Sequence, residues 1–282
     1  MDNRTKYFPA SPLRRRILTG MLSAPVAVMA ATNSTPAYAA LKTSARIVIL
    51  GSGLGGLAIA NRLSRELDGA KITIIDRKEI HNYQPGFTLV GTGIWPVGKV
   101  ADRNSDFQPA GVTWIQEMAT EVDPEAQVVV TDAATRVPYD FLVVATGLHL
   151  DFDQIEGMDT KMIGSYGLGC VYPSSQAAEA TWNAMDAFRR KGGEALMTLP
   201  ATPLKCAGAP LKMTFMIDDR LRQVGTRDRS KVTFHSAIDN IFSVPKVAEN
   251  VVARWEKMDI PVIYHSKLVA IDIGAQRATF AN

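Results

Sequence analysis

The segment ARIVILGSGLGG, residues 45–56, joins a short apolar run directly to a glycine-rich turn. The apolar run is rich in β-branched residues, as is typical of a parallel strand buried on both faces. Gly51, Gly53 and Gly56 stand in G-x-G-x-x-G register. The first allows a tight turn, the second admits a pyrophosphate to the backbone, and the third lets the next helix pack on the strand. Free N–H groups at the start of that helix would then face the phosphates.

A second strand, residues 72–75, ends at Asp76, which lies 25 residues after Gly51. Asp76 is thus placed to accept hydrogen bonds from ribose hydroxyls. A lone glycine motif is a weak signal, because a tight turn sometimes serves only packing. That alternative leaves Asp76 unexplained, so the strand, turn, helix and acid together predict dinucleotide binding.

The composition predicts a soluble globular protein of about two domains. The chain has 282 residues, 46% of them hydrophobic, and a formal charge of +3. Residues 1–39 hold five of the 31 basic side chains and one of the 28 acidic ones, so the remainder is almost neutral. The charge therefore gives no reason to expect nucleic-acid binding, and we predict no metal site.

Residues 1–39 are predicted to be an export signal. Arginines at 14–16 precede a modest apolar run, and Ala37-Tyr38-Ala39 forms a small-x-small cleavage site. The run is too short to span a membrane. The paired arginines indicate a twin-arginine signal, and an ordinary secretory signal is the alternative. Either signal would place the mature chain, from about Ala40, outside the cytoplasm.

The rest of the chain alternates strands and helices, which predicts parallel sheets covered on both faces. We predict an α/β fold with two Rossmann-like, three-layer dinucleotide-binding domains. The first spans residues 40–158 and the second, 159–282, is truncated. The predicted strands are 112–115, 128–130, 141–144, 194–199, 231–235 and 262–264. The predicted helices are one capped by Ser174 or Ser175 and ending at 192–193, one over 209–224, and one over 247–258 with Val247, Val251, Trp255 and Met258 on its inner face.

The turn after strand 194–199 differs from the first turn. Residues 200–210 read PATPLKCAGAP, with prolines or bulky residues where glycines would be needed, so nicotinamide binding is not expected. The turn instead offers Cys206, beside Lys205 and at the mouth of a helix that Pro210 can start. Both features stabilise a thiolate, so Cys206 should be nucleophilic near neutral pH. The alternative is a buried, inert thiol.

Cys170 and Cys206 are the two cysteines of a protein expected in an oxidising compartment. A structural disulfide is the default interpretation of such a pair. The surroundings of Cys206 favour a redox role instead.

Two motifs resemble those of the sulfide:quinone oxidoreductase family. Residues 81–91, HNYQPGFTLVG, resemble its H-x-Y-Q-P…T-L-V-G, and residues 202–210 resemble its T-P-x-K-C-A-G-A-P, above all in the mitochondrial-type branch. The similarity extends from about residue 46 to 282. It implies FAD bound without a covalent link, sulfide as donor, quinone as acceptor, a small sulfur acceptor, and attachment to a membrane surface. With the export signal, this implies a periplasmic protein peripherally attached to the inner membrane.

The resemblance also implies roles for single residues. Besides the glycines of the first turn, Leu54 and Gly55 would lie on the pyrophosphate and Asp76 on the ribose. Gln84 would lie near the flavin, and the backbone of Ala119 against the adenine. The predicted cofactor-binding residues are Gly51, Gly53, Leu54, Gly55, Gly56, Asp76, Gln84, Ala119 and Gly147. Gly147 belongs to an A-T-G segment, 145–147, that is common where the chain leaves such flavin domains. Cys206 corresponds to the redox cysteine that becomes persulfidated.

Two departures from the family qualify these implications. The second redox cysteine, a second flavin-contacting G-D segment and the amphipathic membrane helices all lie C-terminal to residue 282 in the family, so the sequence is expected to be a fragment. Cys170 lies where some bacterial members have an extra cysteine, although the mitochondrial-type branch lacks one. A direct catalytic role for Cys170 is therefore a weaker prediction than that for Cys206.

The implied mechanism begins with sulfide attacking a disulfide or trisulfide that contains Cys206, and two electrons then pass through FAD to quinone. One alternative is the flavoprotein subunit of a flavocytochrome c sulfide dehydrogenase, which gives its electrons to cytochrome c. The export signal favours that alternative. Pro85 opposes it, because those subunits have there a cysteine that holds the flavin. A second alternative is a non-catalytic flavin-binding or sulfur-carrier protein.

Overall fold

Alternating strands and helices build the fold, as the sequence predicts. A computed structural model describes residues 40–202, 204 and 206–281, and the predicted signal, 1–39, lies outside them. The helices are α1 Leu54–Glu66, α2 Phe87–Val90, α3 Ser175–Lys191, α4 Gly208–Gln223 and α5 Pro245–Glu256. The strands are β1 Leu41–Lys42, β2 Arg46–Leu50, β3 Leu67–Asp68, β4 Lys71–Ile75, β5 Ile80–Asn82, β6 Ala101–Arg103, β7 Thr113–Ile115, β8 Ala119–Asp123, β9 Val128–Thr131, β10 Arg136–Pro138, β11 Phe141–Val144, β12 Gly193–Leu199, β13 Ser230–Ser236, β14 Val262–Ile263, β15 Lys267–Asp272 and β16 Arg277–Ala281.

The first parallel sheet has the order β11-β2-β4-β7 and is covered on both faces. Alternate residues of β2 point to opposite faces. Ile47 and Ile49 pack with residues of α1 such as Leu57, whereas Val48 packs with Val129 of the antiparallel sheet β10-β9-β8. A helix, a parallel sheet and an antiparallel sheet thus form three layers, and the continuous apolar run of β2 is explained.

The second parallel sheet has the order β12-β13-β14. Its core contains the fully buried side chains of Phe234, Leu221 and Trp255, from β13, α4 and α5. Phe87 and Val100, from the first half of the chain, belong to the same core. Residues 40–282 cluster as one compact unit, and the predicted boundary between residues 158 and 159 stays a prediction.

Of the three helices around the second sheet, α3 begins as predicted, whereas α4 and α5 begin one or two residues earlier. Ser174 caps α3 through a hydrogen bond from Ala177 N, as predicted. However, α4 already begins at Gly208. The prediction for Val247 was wrong, because this side chain in the first turn of α5 is 41% exposed. Helical periodicity identifies a face of the helix, but it does not show how far along the helix the core extends.

A buried ion pair joins α4 to the 3₁₀ turn that precedes β13. Arg227 Nε donates to Asp218, and the exposed fractions of these residues are 8% and 1%. The remaining guanidinium nitrogens donate to the carbonyl oxygens of Ser230, Met258 and Asp259 at 2.7–2.8 Å. Because the buried charges are paired and hydrogen-bonded, the pair is tolerated in the core.

Within residues 40–202, 204 and 206–281, no helix is both long enough and apolar enough to cross a bilayer.

Candidate functional site

Two glycines of the first turn are required by the packing of the protein itself. Gly51 has φ +102°, and a Cβ atom there would lie 2.5 Å from the carbonyl oxygen of Ala145. A Cβ on Gly56 would lie 1.9 Å from the carbonyl oxygen of Gly51. A larger residue at Gly51 would push the turn away from the end of β11. A larger residue at Gly56 would push α1 away from the turn. The roles predicted for the first and third glycines therefore have a direct geometric cause.

Gly53 and Gly55 leave open space that the protein does not use. No heavy atom lies within 4 Å of a Cβ built on Gly53, and the nearest atom to one on Gly55 is Ala145 Cβ at 3.9 Å. The N-terminus of α1 has no side-chain cap, and Leu54 is 79% exposed. The first N–H groups of α1 are thus open to an anion from outside, which is the geometry that a pyrophosphate requires. These residues fit the pyrophosphate of FAD.

Asp76 holds the glycine-rich turn in place. Its Oδ2 accepts hydrogen bonds from Ser52 N at 2.7 Å and Ser52 Oγ at 2.9 Å, and its Oδ1 accepts from Lys78 N at 2.9 Å. A carboxylate has about four acceptor sites, so capacity remains for a ribose hydroxyl. The sequence predicted only the ribose contact. The structure adds that Asp76 orients the turn itself.

Asn104 is a buried polar residue that sequence reasoning missed. Its amide nitrogen donates to Ser52 Oγ at 2.7 Å and to Lys78 O at 2.6 Å, and its Oδ1 lies 3.1 Å from His81 Nδ1. Asn104 therefore connects the glycine-rich turn to the start of the 81–91 motif. A single asparagine in a loop gives no sequence signal of such a role.

The other predicted cofactor residues lie on three separate segments. Gln84 is partly buried in a 3₁₀ turn, 84–86, that follows β5, and exposed Gly147 lies just past Ala145, whose carbonyl oxygen contacts Gly51. Ala119 begins β8, and the preceding residue, Met118, donates its N–H to Asp132. Asp132 also pairs with Arg77, the neighbour of Asp76. These contacts connect the start of β8 to the residue next to Asp76.

Cys206 is exposed and lies just before the N-terminus of α4. Its carbonyl oxygen accepts a hydrogen bond from Ala209 N at 3.1 Å, which begins the helical turn. Ala207 is the N-cap of α4, and no side chain caps it. The cysteine therefore stands at a helix N-terminus, as predicted. Lys205, the predicted neighbouring cation, lies outside the described residues.

Cys170 has a different environment, in the loop before α3. Its backbone N–H donates to Thr181 Oγ1 at 2.9 Å. Burial raises the pKa of the Cys170 thiol, and the backbone N–H of Tyr172 opposes this shift only in part. Both thiols are free in this structure, so the two cysteines do not form the default disulfide. Cys206 is thus exposed at a helix N-terminus, whereas Cys170 lies in a loop where burial raises the pKa of its thiol.

The family comparison agrees with this geometry. The model described as pyridine nucleotide-disulphide oxidoreductase matches residues 45–188, which contain the glycine-rich turn, Asp76 and the 81–91 motif. The chain belongs to this family. Members of this family are flavin-dependent, and the open turn at Gly53 and Gly55 lies within the matched residues.

Two curated relatives are similar to most of the chain. The mitochondrial sulfide:quinone oxidoreductase of Mus musculus is 32% identical over 252 residues, covering 87% of this chain and 54% of that protein. That of Dictyostelium discoideum is 34% identical over 241 residues, covering 85% and 53%. The resemblance inferred from the two motifs is confirmed. The chain spans about half the length of these curated relatives.

A solved structure supports the fold. The sulfide:quinone oxidoreductase of Aquifex aeolicus superposes with a TM-score of 0.70 at 20% identity, covering 84% of this chain and 56% of that one. At this identity the match shows the fold alone. It confirms the predicted α/β fold with parallel sheets.

Proposed function

We propose that the protein is an FAD-dependent sulfide:quinone oxidoreductase in which Cys206 carries the sulfur that is oxidised. The observation that carries this proposal is the exposed thiol at the N-terminus of α4, in a chain whose first turn leaves a cradle for a pyrophosphate. Relatives named sulfide:quinone oxidoreductase, which are 32–34% identical over most of this chain, support sulfide as the electron donor and quinone as the electron acceptor.

The first turn would hold FAD through backbone groups. The open N–H groups at the start of α1 would bind the pyrophosphate, and Asp76 would accept from the ribose while it keeps Ser52 in place. Gln84 would lie near the flavin, and the backbone of Ala119 near the adenine. When bound, FAD supplies a two-electron acceptor for the sulfur and a donor for quinone.

Cys206 would carry out the sulfur chemistry. Sulfide would attack one sulfur of a disulfide or trisulfide between Cys206 and a second thiol, a new S–S bond would form, and the electron pair of the broken bond would stay on the departing sulfur as a thiolate. The N-terminal dipole of α4 favours negative charge on Cys206. The persulfide then gives its outer sulfur to a small acceptor, by the same kind of displacement. Once the persulfide has passed on its outer sulfur, the disulfide would re-form as its two electrons go to bound FAD.

In this proposal, the first 39 residues determine the cellular location of the protein. The arginines at 14–16 and the apolar run would direct export by the twin-arginine route, so that the enzyme works in the periplasm. Access to quinone would require peripheral attachment to the inner membrane.

The second turn argues against a nicotinamide as electron donor. Between β12 and α4 it contains Pro200 and Pro203, and neither can offer a backbone N–H to a phosphate. Pro85, which lies in the 3₁₀ turn after Tyr83, has no thiol with which to hold a flavin covalently. This residue opposes the flavocytochrome c alternative.

The test uses the full-length protein and follows the visible spectrum of oxidised flavin. Sulfide should bleach the spectrum and NADH at the same concentration should not, and the electrons should pass to decylubiquinone rather than to cytochrome c. Cys206→Ser should lower the rate of sulfide-dependent bleaching by about 10³-fold or more, because the nucleophile is lost, while FAD stays bound.

Cys170→Ser is the matched control, and its effect should be much smaller. Bleaching by NADH would overturn the argument from the second turn. Equal loss of activity in both cysteine variants, with flavin retained, would show instead that the two cysteines act as a pair.

A further inference from the structure

Asn104 lies between the glycine-rich turn and the 81–91 motif, and it is 3% exposed. Its side-chain amide has three polar neighbours. Nδ2 donates to Ser52 Oγ at 2.7 Å and to Lys78 O at 2.6 Å, and Oδ1 lies 3.1 Å from His81 Nδ1. Because each neighbour has its own capacity to donate or accept, the three together fix the orientation of the amide.

The carbonyl oxygen of Lys78 decides which end of the amide faces which neighbour. A carbonyl oxygen can only accept, so the atom 2.6 Å from it must be the nitrogen of Asn104. The amide oxygen then faces His81, whose Nδ1 must carry a hydrogen in order to donate to it. The neutral imidazole of His81 therefore has its hydrogen on Nδ1, and its Nε2 is an acceptor.

The same orientation fixes the hydroxyl of Ser52, which is 2% exposed. Ser52 Oγ accepts from the amide nitrogen of Asn104, so its own hydrogen is directed to Asp76 Oδ2, 2.9 Å away. Ser52 N donates to the same oxygen at 2.7 Å, and Lys78 N donates to Oδ1 at 2.9 Å. Among the described residues, these three donors leave one of the about four acceptor positions of the carboxylate open, on Oδ1.

We propose that Asn104 is a positioning residue of the dinucleotide site. By donating to Ser52 Oγ, it directs the hydroxyl hydrogen to Asp76 and so holds the carboxylate with one acceptor position free for a ribose hydroxyl. This inference rests on the proposed function, because it concerns FAD at the first turn. It assigns a role in FAD affinity to a buried residue outside the predicted cofactor contacts.

A purely structural role for Asn104 would be to tie its loop to the neighbouring chain. The backbone already supplies part of that connection, since Asn104 N donates to Glu79 O at 2.8 Å. A structural role predicts that loss of the amide lowers the free energy of unfolding, whether or not Ser52 has a hydroxyl. Positioning predicts that the effect on FAD affinity passes through that hydroxyl, so that the two side chains are coupled.

The test measures FAD affinity by flavin fluorescence, in the full-length protein freed of its flavin. Asn104→Asp keeps the size of the side chain but replaces the donor with an acceptor. The Ser52 hydroxyl would then turn to the new carboxylate, and Asp76 Oδ2 would face an oxygen lone pair. FAD affinity should fall about tenfold, the effect of losing one hydrogen bond to a charged group. Unchanged affinity would overturn the inference.

Ser52→Ala separates positioning from the charge that Asn104→Asp adds. In a Ser52→Ala background there is no hydroxyl to redirect, so Asn104→Asp should weaken FAD binding by less than about twofold further. Losses that multiply in the double variant would show that the amide acts without Ser52, and they would overturn the inference.

Asn61→Asp is the matched control. Asn61 Nδ2 donates to the carbonyl oxygens of Leu57 and Phe107, both at 2.9 Å, so the same amide is replaced by the same carboxylate at a site whose described hydrogen bonds do not involve Ser52. FAD affinity should change by less than about twofold. A tenfold loss here as well would show that added charge alone weakens binding, and the inference would fail.

These outcomes are distinct from those that test the proposed function. If Asn104→Asp weakens FAD binding as expected but sulfide never bleaches the flavin of the parent protein, the proposed function fails and the role of Asn104 stands. If sulfide bleaches the flavin and Asn104→Asp binds FAD as the parent does, the inference fails and the proposed function stands.

A second measurement needs no substitution at Asn104. Nitrogen-15 NMR of the parent protein should show that the neutral imidazole of His81 carries its hydrogen on Nδ1, because the amide oxygen faces that nitrogen. The signals of His81 are identified by their absence in His81→Gln. A hydrogen on Nε2 would mean that the amide is reversed, and it would overturn the inference even if Asn104→Asp failed to fold.

Discussion

The turn after β2 and the turn after β12 occupy the same place in two similar units, yet they are built for different chemistry. Each follows a parallel strand and precedes a helix. The first has three residues, 51–53, and the second has eight, 200–207. The short turn exposes backbone N–H groups and carries no reactive side chain. The longer one contains prolines and carries a thiol at the helix N-terminus.

This difference shows that one supersecondary unit provides a helix N-terminus for either of two purposes. Its partial positive charge favours a bound phosphate at α1, and at α4 it favours a thiolate that belongs to the chain. The glycines of the first turn exclude side chains from the phosphate position. The second turn instead places the exposed side chain of Cys206 at the helix N-terminus.

The largest expected effect distinguishes the glycines that packing requires, Gly51 and Gly56, from those that face open space, Gly53 and Gly55. Gly56→Ala would place a Cβ 1.9 Å from the carbonyl oxygen of Gly51, which cannot be relieved without moving α1 off the strand. We expect a loss of more than about 5 kcal/mol, the range of exceptional substitutions, and hence no folded flavoprotein. Denaturant unfolding and yield of soluble protein measure this effect.

Gly53→Ala is the matched substitution. Gly53 has φ −70° and ψ −174°, which alanine adopts without strain, and its Cβ would meet open space. Stability should change by less than about 1 kcal/mol. FAD affinity, measured by quenching of flavin fluorescence, should fall about 100-fold, because the new methyl group occupies the phosphate position. Unchanged affinity would mean that no phosphate approaches Gly53.

The first turn also shows how far the sequence alone could predict the site. The G-x-G-x-x-G register, the strand before it and Asp76 identified the turn and its acid, because each depends on local backbone geometry. The hydrogen bonds from Ser52 to Asp76, and the role of Asn104, depend on side chains 24 and 52 residues apart meeting in space. Local periodicity carries no information on such contacts.

The sequence predicted the strands and helices of the second unit, but it did not predict all the residues of its core. The alternation of strands and helices predicted β12, α4 and β13 to within two residues. It did not predict that Phe87 would enter the same core, nor that Arg227 would be buried, since arginine is rarely found in a core. Both features arise from tertiary packing, which the local pattern does not encode.

Arg227 leads to the second prediction, which concerns how the second unit is held together. Arg227→Met removes one partner of a buried pair and leaves Asp218, 1% exposed, without its most buried cation. Breaking such a pair costs about 3 kcal/mol in the free energy of unfolding. Denaturant unfolding should show this loss.

Arg222→Met is the control at the same carboxylate. Arg222 Nε lies 2.6 Å from Asp218 Oδ2, but its side chain is 52% exposed, so the loss should stay below about 1 kcal/mol. Equal losses in the two variants would mean that burial does not decide the strength of these pairs.

The smallest expected effect is the pH dependence contributed by His235, near the end of β13. Its Nδ1 lies 2.9 Å from Ser266 Oγ, and its ring stacks on Phe280 with centroids 4.0 Å apart. Burial lowers the pKa of His235, Lys231 lowers it further, and Glu194 partly opposes both. The folded protein therefore favours the neutral imidazole.

The sign of the effect follows from proton binding. A histidine whose pKa is lowered by folding stabilises the protein above its unfolded pKa of about 6.5, and this contribution is lost as the pH falls toward the folded value. Between pH 7 and 5.5, the Tm of the parent should fall by up to about 4 °C more than that of His235→Gln, which has no imidazole to titrate. His149→Gln, at a histidine side chain that is 86% exposed, should retain the pH dependence of the parent. The contradicting result would be the same slope of Tm against pH in the parent and in His235→Gln. The neutral imidazole of His235 would then add no pH-dependent stability, and the acid sensitivity would arise outside the second sheet.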